Sequence, residues 1–168
     1  MIDSRPADST GSSLWRLAFR IAYRLLRLID PLIRLAWRAG LPGLGSTVDL
    51  VVTGRRSGRE RRTLLTLLSI DDTWYVGHPN GPCAWTRNLD TASEAHLQTP
   101  NGEASQVVAT RITDAAERSG VISLTPALQP FPGNILYGLA QRHIQAVGVY
   151  FRLERRARLA GSRSAPQA

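Results

Sequence analysis

The stretch STVDLVVTGRRSGRERRTLLTLLSI, Ser46 to Ile70, decides the fold. Its first part, Ser46–Gly54, is rich in Val, Leu and Thr and reads as a strand. Its last part, Arg62–Ile70, reads as a second, mostly buried strand. GRRSG, Gly54 to Gly58, lies between them with a glycine at each end, so the chain turns back there. The turn also opens a run of five arginines within the eight residues Arg55 to Arg62. Like charges this dense repel one another unless an anion meets them.

Downstream the same antiparallel logic continues. DDTWYVGH gives a turn at Asp71-Asp72 and a third strand. PNGPCAWTRNLDTAS reads as a loop running into a short helix. EAHLQT and EASQVVATRIT flank Asn101-Gly102, a strong hairpin signal. TDAAERSGVISLTPALQPFPG starts a helix, with Asp114 and Glu117 as a capping box. NILYGLAQRHIQA reads as a further short helix and VGVYFRLER as the closing strand. No βαβ rhythm appears, which argues against a Rossmann sheet. The order fits an α+β, mainly β chain: a six-stranded antiparallel barrel or open roll with flanking helices.

Upstream, SSLWRLAFRIAYRLLRLIDPLIRLAWRAGLPGLG carries arginines at 16, 20, 24, 27, 34 and 38. Those steps are helical and place the arginines on one stripe, with Leu, Ile, Phe, Ala and Trp elsewhere. Ser12 or Ser13 is expected to cap this helix, Pro31 to kink or split it, and Gly40–Gly43 to stop it. Two readings stay open: a helix in an anionic membrane interface, or one packed on the domain with its arginines in water. The expected division is a flexible tail 1–11, an amphipathic helical segment 12–43, a barrel domain 44–155 and a flexible tail 156–168.

The totals set bounds. The chain has 168 residues and a net charge of +8, and all 21 of its cationic residues are arginine. Arginine offers a planar fork of donors suited to phosphate and carboxylate. One cysteine, Cys83, excludes an internal disulfide. Three scattered histidines show no metal spacing, so no metal site is expected. No signal peptide or membrane span is read, and the expected location is cytoplasmic, with peripheral contact at the inner face of the cell membrane through residues 12–39 as a further expectation.

Two constellations point to chemistry. In the first, glycines bend the backbone and expose amides, while Arg55, Arg56 and Ser57 add donors around Gly58. Arg61 and Arg62 start the next strand and point to opposite faces, so one of them shares that pocket. The run lacks the ending of a Walker motif. An ordinary hairpin turn with solvated arginines is the alternative. The second constellation is Gly77–Leu89. There Gly77, His78, Pro79 and Asn80 leave the third strand, and Trp85 and Asn88 share one face of the short helix. A Trp walls a flat ligand and an Asn hydrogen-bonds it; a core Trp and a helix-end Asn are the alternative.

TGRRSGRERRTLL, then WYVGHPNG, then AWTRNL together resemble the deazaflavin-dependent nitroreductase family, over residues 46 to 113 and weakly the final strand. The resemblance implies a split β-barrel related to FMN-binding oxidoreductases. It implies coenzyme F420, a deazaflavin with a phosphate and a polyglutamate tail. By it, Arg55, Arg56, Ser57 and Arg61 match positions that hold phosphate and tail. Gly77, His78, Pro79 and Asn80 match the loop beside the ring, and Trp85 and Asn88 match the family's W-x-x-N pair. The chain departs from the family's pattern in a shorter loop before Trp85, in Arg56 where Lys is common, and in Leu64 where Pro is common. The implied reaction passes a hydride from the reduced deazaflavin to a quinone, nitroaromatic or enone, with Tyr137 as proton donor or substrate wall. Competing readings are the same barrel holding FMN, heme or a fatty acid, and a non-catalytic protein binding nucleic acid or anionic membrane. Monomer and homodimer are both open.

Overall fold

A computed structural model describes residues 9–40 and 44–156. The elements are α1 (Ser9–Arg38), β1 (Thr47–Thr53), β2 (Glu60–Thr66), β3 (Leu68–Ile70), β4 (Thr73–His78), α2 (Ala84–Ala92), β5 (Glu94–Gln98), β6 (Ala104–Arg111), α3 (Ala115–Leu128), α4 (Gly133–Leu139), α5 (Gln141–Val147) and β7 (Val149–Arg155). All pairings are antiparallel, in the order β2-β1-β5-β6-β7-β4-β3.

The two outermost strands of that order are one strand of the chain. β2 and β3 are the expected Arg62–Ile70 strand, interrupted only at Leu67, whose amide donates to the Ser46 carbonyl at 2.7 Å. The first half pairs with β1 and the second with β4, so the bent strand joins the two edges and curls the sheet into a barrel. The six expected strands are thus present. The bend follows the packing: Leu65 and Leu67 lie against the barrel interior, while Leu68 is buried among the helices.

Strand periodicity separates two cores. The interior is filled by Val48, Leu50, Val52, Val76, Leu97 and Phe151, closed by Leu89 of α2. The outer core lies between sheet and helices and holds Phe19, Tyr75, Ile112, Val121, Ile122, Ile144 and Tyr150. β4 sends Val76 inward and Tyr75 outward; β7 sends Phe151 inward and Tyr150 outward.

α1 differs from expectation in two ways. It starts at Ser9, ahead of Ser12, and it runs unbroken through Pro31. The cost of Pro31 is met by anchors on both sides. Phe19 is buried in the outer core, the Trp37 indole donates to the Thr47 carbonyl at 2.8 Å, and Arg34 bridges Asp30 and Asp49. Gly40, with φ +67, lies where the helix was expected to stop. The expected stop residues 41–43 and the tails 1–8 and 157–168 lie outside the described residues. Asp114 caps α3 by accepting from the Glu117 amide at 2.7 Å, while the Glu117 carboxylate turns instead to Tyr75 and Arg152. The expected helix after Gly133 is two, α4 and α5, meeting at Ala140.

Only one face of α1 is used by the barrel. Leu14, Leu17, Ile21, Leu25, Leu28, Leu32 and Leu35 are all exposed, by 49 to 78%. Their spacing of three and four makes one continuous stripe.

Candidate functional site

The GRRSG turn is shaped by its own backbone. The Gly54 carbonyl accepts from the Ser57 amide at 3.1 Å and the Gly58 amide at 2.8 Å, and the Gly54 amide donates to Arg59 at 2.8 Å. A Cβ at Gly54 would sit 3.0 Å from Ser57 Oγ and 3.1 Å from the Arg59 carbonyl, and Gly58 has φ +63, so glycine is favoured at both positions. The expectation of several free amides needs correction here, because those of Ser57 and Gly58 are spent inside the turn. What the turn offers outward is guanidinium charge. Arg55, Arg56 and Arg61 are exposed and have no acidic partner among the described residues. Arg61 stands opposite Val52, on the side of the barrel interior. Arg62, on the other face, is held by Gln98 at 2.7 Å and Asp49 at 3.7 Å. The expected alternation of this pair is present, with Arg61 on the interior side of the sheet and Arg62 on the outer side.

α2 joins the turn to the second constellation. Asn88 is buried, and its Oδ1 accepts from both the Arg55 amide and the Arg55 guanidinium at 3.3 Å. Three residues earlier Trp85 packs on the barrel interior and meets the His78 ring edge-on, with centroids 6.3 Å apart. The two constellations are thus neighbours through one short helix.

His78 stands at the centre of the second cluster. Its Nδ1 is 2.8 Å from the Gly81 carbonyl, which makes Nδ1 the donor. Tyr23 of α1 stacks on the His78 ring at 5.1 Å and 22°. The hydroxyls of Tyr23 and Tyr137 lie near each other. Burial first, then neighbouring tyrosines, push the Tyr137 hydroxyl well above its ordinary range; burial dominates for Tyr23 too, and both are neutral donors near neutral pH. Tyr137 also packs edge-on against Phe19. Asn80 accepts from His143 Nε2 at 3.0 Å and donates to the Arg16 carbonyl at 3.4 Å, tying the loop to α1.

Gly77 and Pro79 play packing roles. A Cβ at Gly77 would fall 2.2 Å from the Tyr150 ring, and Pro79 is buried. Cys83, at the start of α2, lies beside His78. Burial raises its thiol, but hydrogen bonds from His78 and Thr86 and the His78 charge outweigh that and hold it below its ordinary value.

Sequence reasoning missed Tyr23, Phe19, His143 and Cys83. A signal for the first two existed: Trp15, Phe19 and Tyr23 recur every fourth residue on one helix face. Among the described residues no group of three or more His, Cys, Asp or Glu is gathered as a metal ligand set.

No protein-family model and no curated protein matches this sequence. Solved structures do match in shape. HutZ, the heme storage protein from Vibrio cholerae, aligns over 76% of this chain and 90% of its own with a TM-score of 0.51 at 15% identity. An F420-H2 dependent reductase aligns over 65% of this chain and 94% of its own with a TM-score of 0.50 at 16% identity. A protein solved as a domain-swapped dimer aligns over 79% and 98%, again with a TM-score of 0.50 at 16% identity. The fold is that of a split β-barrel. At these identities the likeness is one of fold.

Proposed function

We propose that this chain is a deazaflavin-dependent oxidoreductase that uses coenzyme F420. The observation that carries the reading is the turn itself. Arg55, Arg56 and Arg61 present three guanidiniums without acidic partners among the described residues, and the turn is pinned to the helix that carries Trp85. Guanidiniums without carboxylate partners on a fixed backbone suit a phosphate and a carboxylate tail. The same helix leads to an aromatic wall of Trp85, His78 and Tyr23, which suits a flat ring. When bound, the reduced cofactor supplies the hydride. The chain's own part is to bind the anionic handle, orient the ring, exclude water and keep the Tyr137 proton available. The acceptor is an electron-poor small molecule such as a quinone, nitroaromatic or enone. The F420-H2 dependent reductase and the domain-swapped dimer among the fold neighbours agree with this chemistry and with a homodimer.

A titration with F420 beside FMN, heme and NADPH tests the reading. F420 fluorescence is expected to change on binding, and the Arg55→Ala/Arg56→Ala variant to bind at least about tenfold more weakly, the worth of one charge-assisted hydrogen bond. Preference for FMN or heme, or an unchanged dissociation constant in the variant, overturns it.

The second part of the proposal is peripheral contact with an anionic membrane through residues 12–39. Among the described residues no helix is long and apolar enough to cross a membrane. The exposed aliphatic stripe is bordered by exposed Arg16, Arg20, Arg24 and Arg38, and the one acidic residue of α1, Asp30, is bound to Arg34 at 2.9 Å. Two copies pairing along this stripe would set arginine against arginine with no acid to relieve it, whereas anionic headgroups meet the charge and acyl chains the leucines. Sedimentation with anionic vesicles is expected to carry the protein down; pelleting that ignores lipid charge, or dimerisation through α1, counts against it.

A further inference from the structure

The helix α1 reaches the candidate site through the aromatic rings of its inner face. Tyr23 stacks on His78 at 5.1 Å and 22°, and its hydroxyl lies near that of Tyr137. One turn earlier Phe19 stacks on His143 at 5.9 Å, and the Arg16 carbonyl receives Asn80. These contacts bind the His78–Asn80 loop to α1 from one side, while Trp85 meets His78 from the other. The imidazole is fixed by three directions: the Tyr23 face, the Trp85 edge and the Gly81 carbonyl at Nδ1. We propose that Tyr23 is a positioning residue of the redox site, holding the His78 ring from the N-terminal helix. This rests on the function proposed above, for which His78 and Tyr137 are the ring-side groups. It makes α1 one wall of the site, so the helix whose outer face meets lipid also sets the geometry inside.

A test free of the cofactor is available because Cys83 is the chain's one cysteine, half-buried beside His78. The rate of its alkylation by iodoacetamide, followed against pH, reports how closely the imidazole approaches the thiol. In the wild-type protein the midpoint is expected below the ordinary thiol value. Tyr23→Leu keeps an apolar side chain and removes the stacking face. If Tyr23 holds His78 in place, the midpoint rises, and alkylation near neutral pH slows about threefold or more. Simple loosening of the helix acts in the opposite direction, because exposing the thiol removes the burial that raises it. Tyr23→Phe keeps the ring and is expected to restore the wild-type midpoint. His78→Gln calibrates the full loss of the imidazole. Circular dichroism and a thermal melt of each variant check that it is folded, and should Tyr23→Leu melt early, Tyr23→Met, which also lacks the stacking face, carries the same test with the same overturning result. A midpoint in folded Tyr23→Leu that stays put or falls overturns the proposal. Failure of F420 binding instead overturns the assigned function and leaves the thiol result standing.

Discussion

Gly77 shows how one missing atom fixes the relation between site and core. It pairs with Tyr150 across β4 and β7, and the tyrosine ring occupies the space where a Cβ would be. Gly77→Ala must therefore displace either the backbone beside His78 or a ring that is 1% exposed. A loss of about 1–3 kcal/mol is expected from such overpacking, read as a lower denaturation midpoint with unchanged slope. Asn88 makes the complementary case. It is buried and accepts two long bonds from Arg55, so Asn88→Ala leaves the Arg55 amide unpaired at the head of the turn. About 1 kcal/mol of stability is expected to go. F420 binding should weaken about three- to tenfold without any charge being removed, which separates placement of the guanidiniums from their charge. Equal binding by this variant would mean that the turn holds its shape alone.

At the scale of elements, α1 reads correctly as helix and as amphipathic, yet its spacing does not tell which apolar face the barrel takes. The choice is made by long-range partners: Thr47 for Trp37, the outer core for Phe19, His78 for Tyr23. The two faces make opposite predictions. Leu25→Glu with Leu32→Glu alters only exposed side chains, so stability should move by no more than about 0.5 kcal/mol while binding to anionic vesicles falls sharply. Phe19→Ala, on the inner face, should cost about 3–5 kcal/mol. A leucine pair that destabilised the fold would show the stripe to be packed in the native molecule. The strand Arg62–Ile70 teaches a similar lesson. Its existence was legible from its run of β-formers, but the bend at Leu67 was not, because it depends on which core takes Leu65 and which takes Leu68. In the candidate site, the turn after β1, the loop after β4 and the short helix that carries Trp85 and Asn88 were legible from local spacing. Their junction through Asn88 and the arrival of Tyr23 were not, since both join residues far apart in the chain.

At the scale of the whole molecule, the outer core and the site share their tyrosines, and this gives the fold an alkaline limit. Tyr23, Tyr137 and Tyr150 all have hydroxyls raised above the ordinary 10.0, chiefly by burial, with Tyr150 at about 12. A raised value means that the folded state favours the neutral form. Below the ordinary value both states keep their protons and the full stability is present. Above it the unfolded chain releases protons that the folded chain retains, so stability falls as pH rises toward the folded values. Each such tyrosine contributes a slope of about 1.4 kcal/mol per pH unit in that window. Cys83, held low, acts in the other sense: its contribution is gained as pH rises and is complete above its ordinary value of 9.0, just before the tyrosines begin to titrate. Denaturant melts at about pH 9, 10 and 11, with phenolate absorbance followed in parallel, should show stability level at first and then dropping steeply. Tyr150→Phe should flatten the drop by about a third, since it removes one of three groups. Phenolate appearing gradually in the folded protein, with no loss of stability, would mean that these hydroxyls already reach water and that α1 does not close the site.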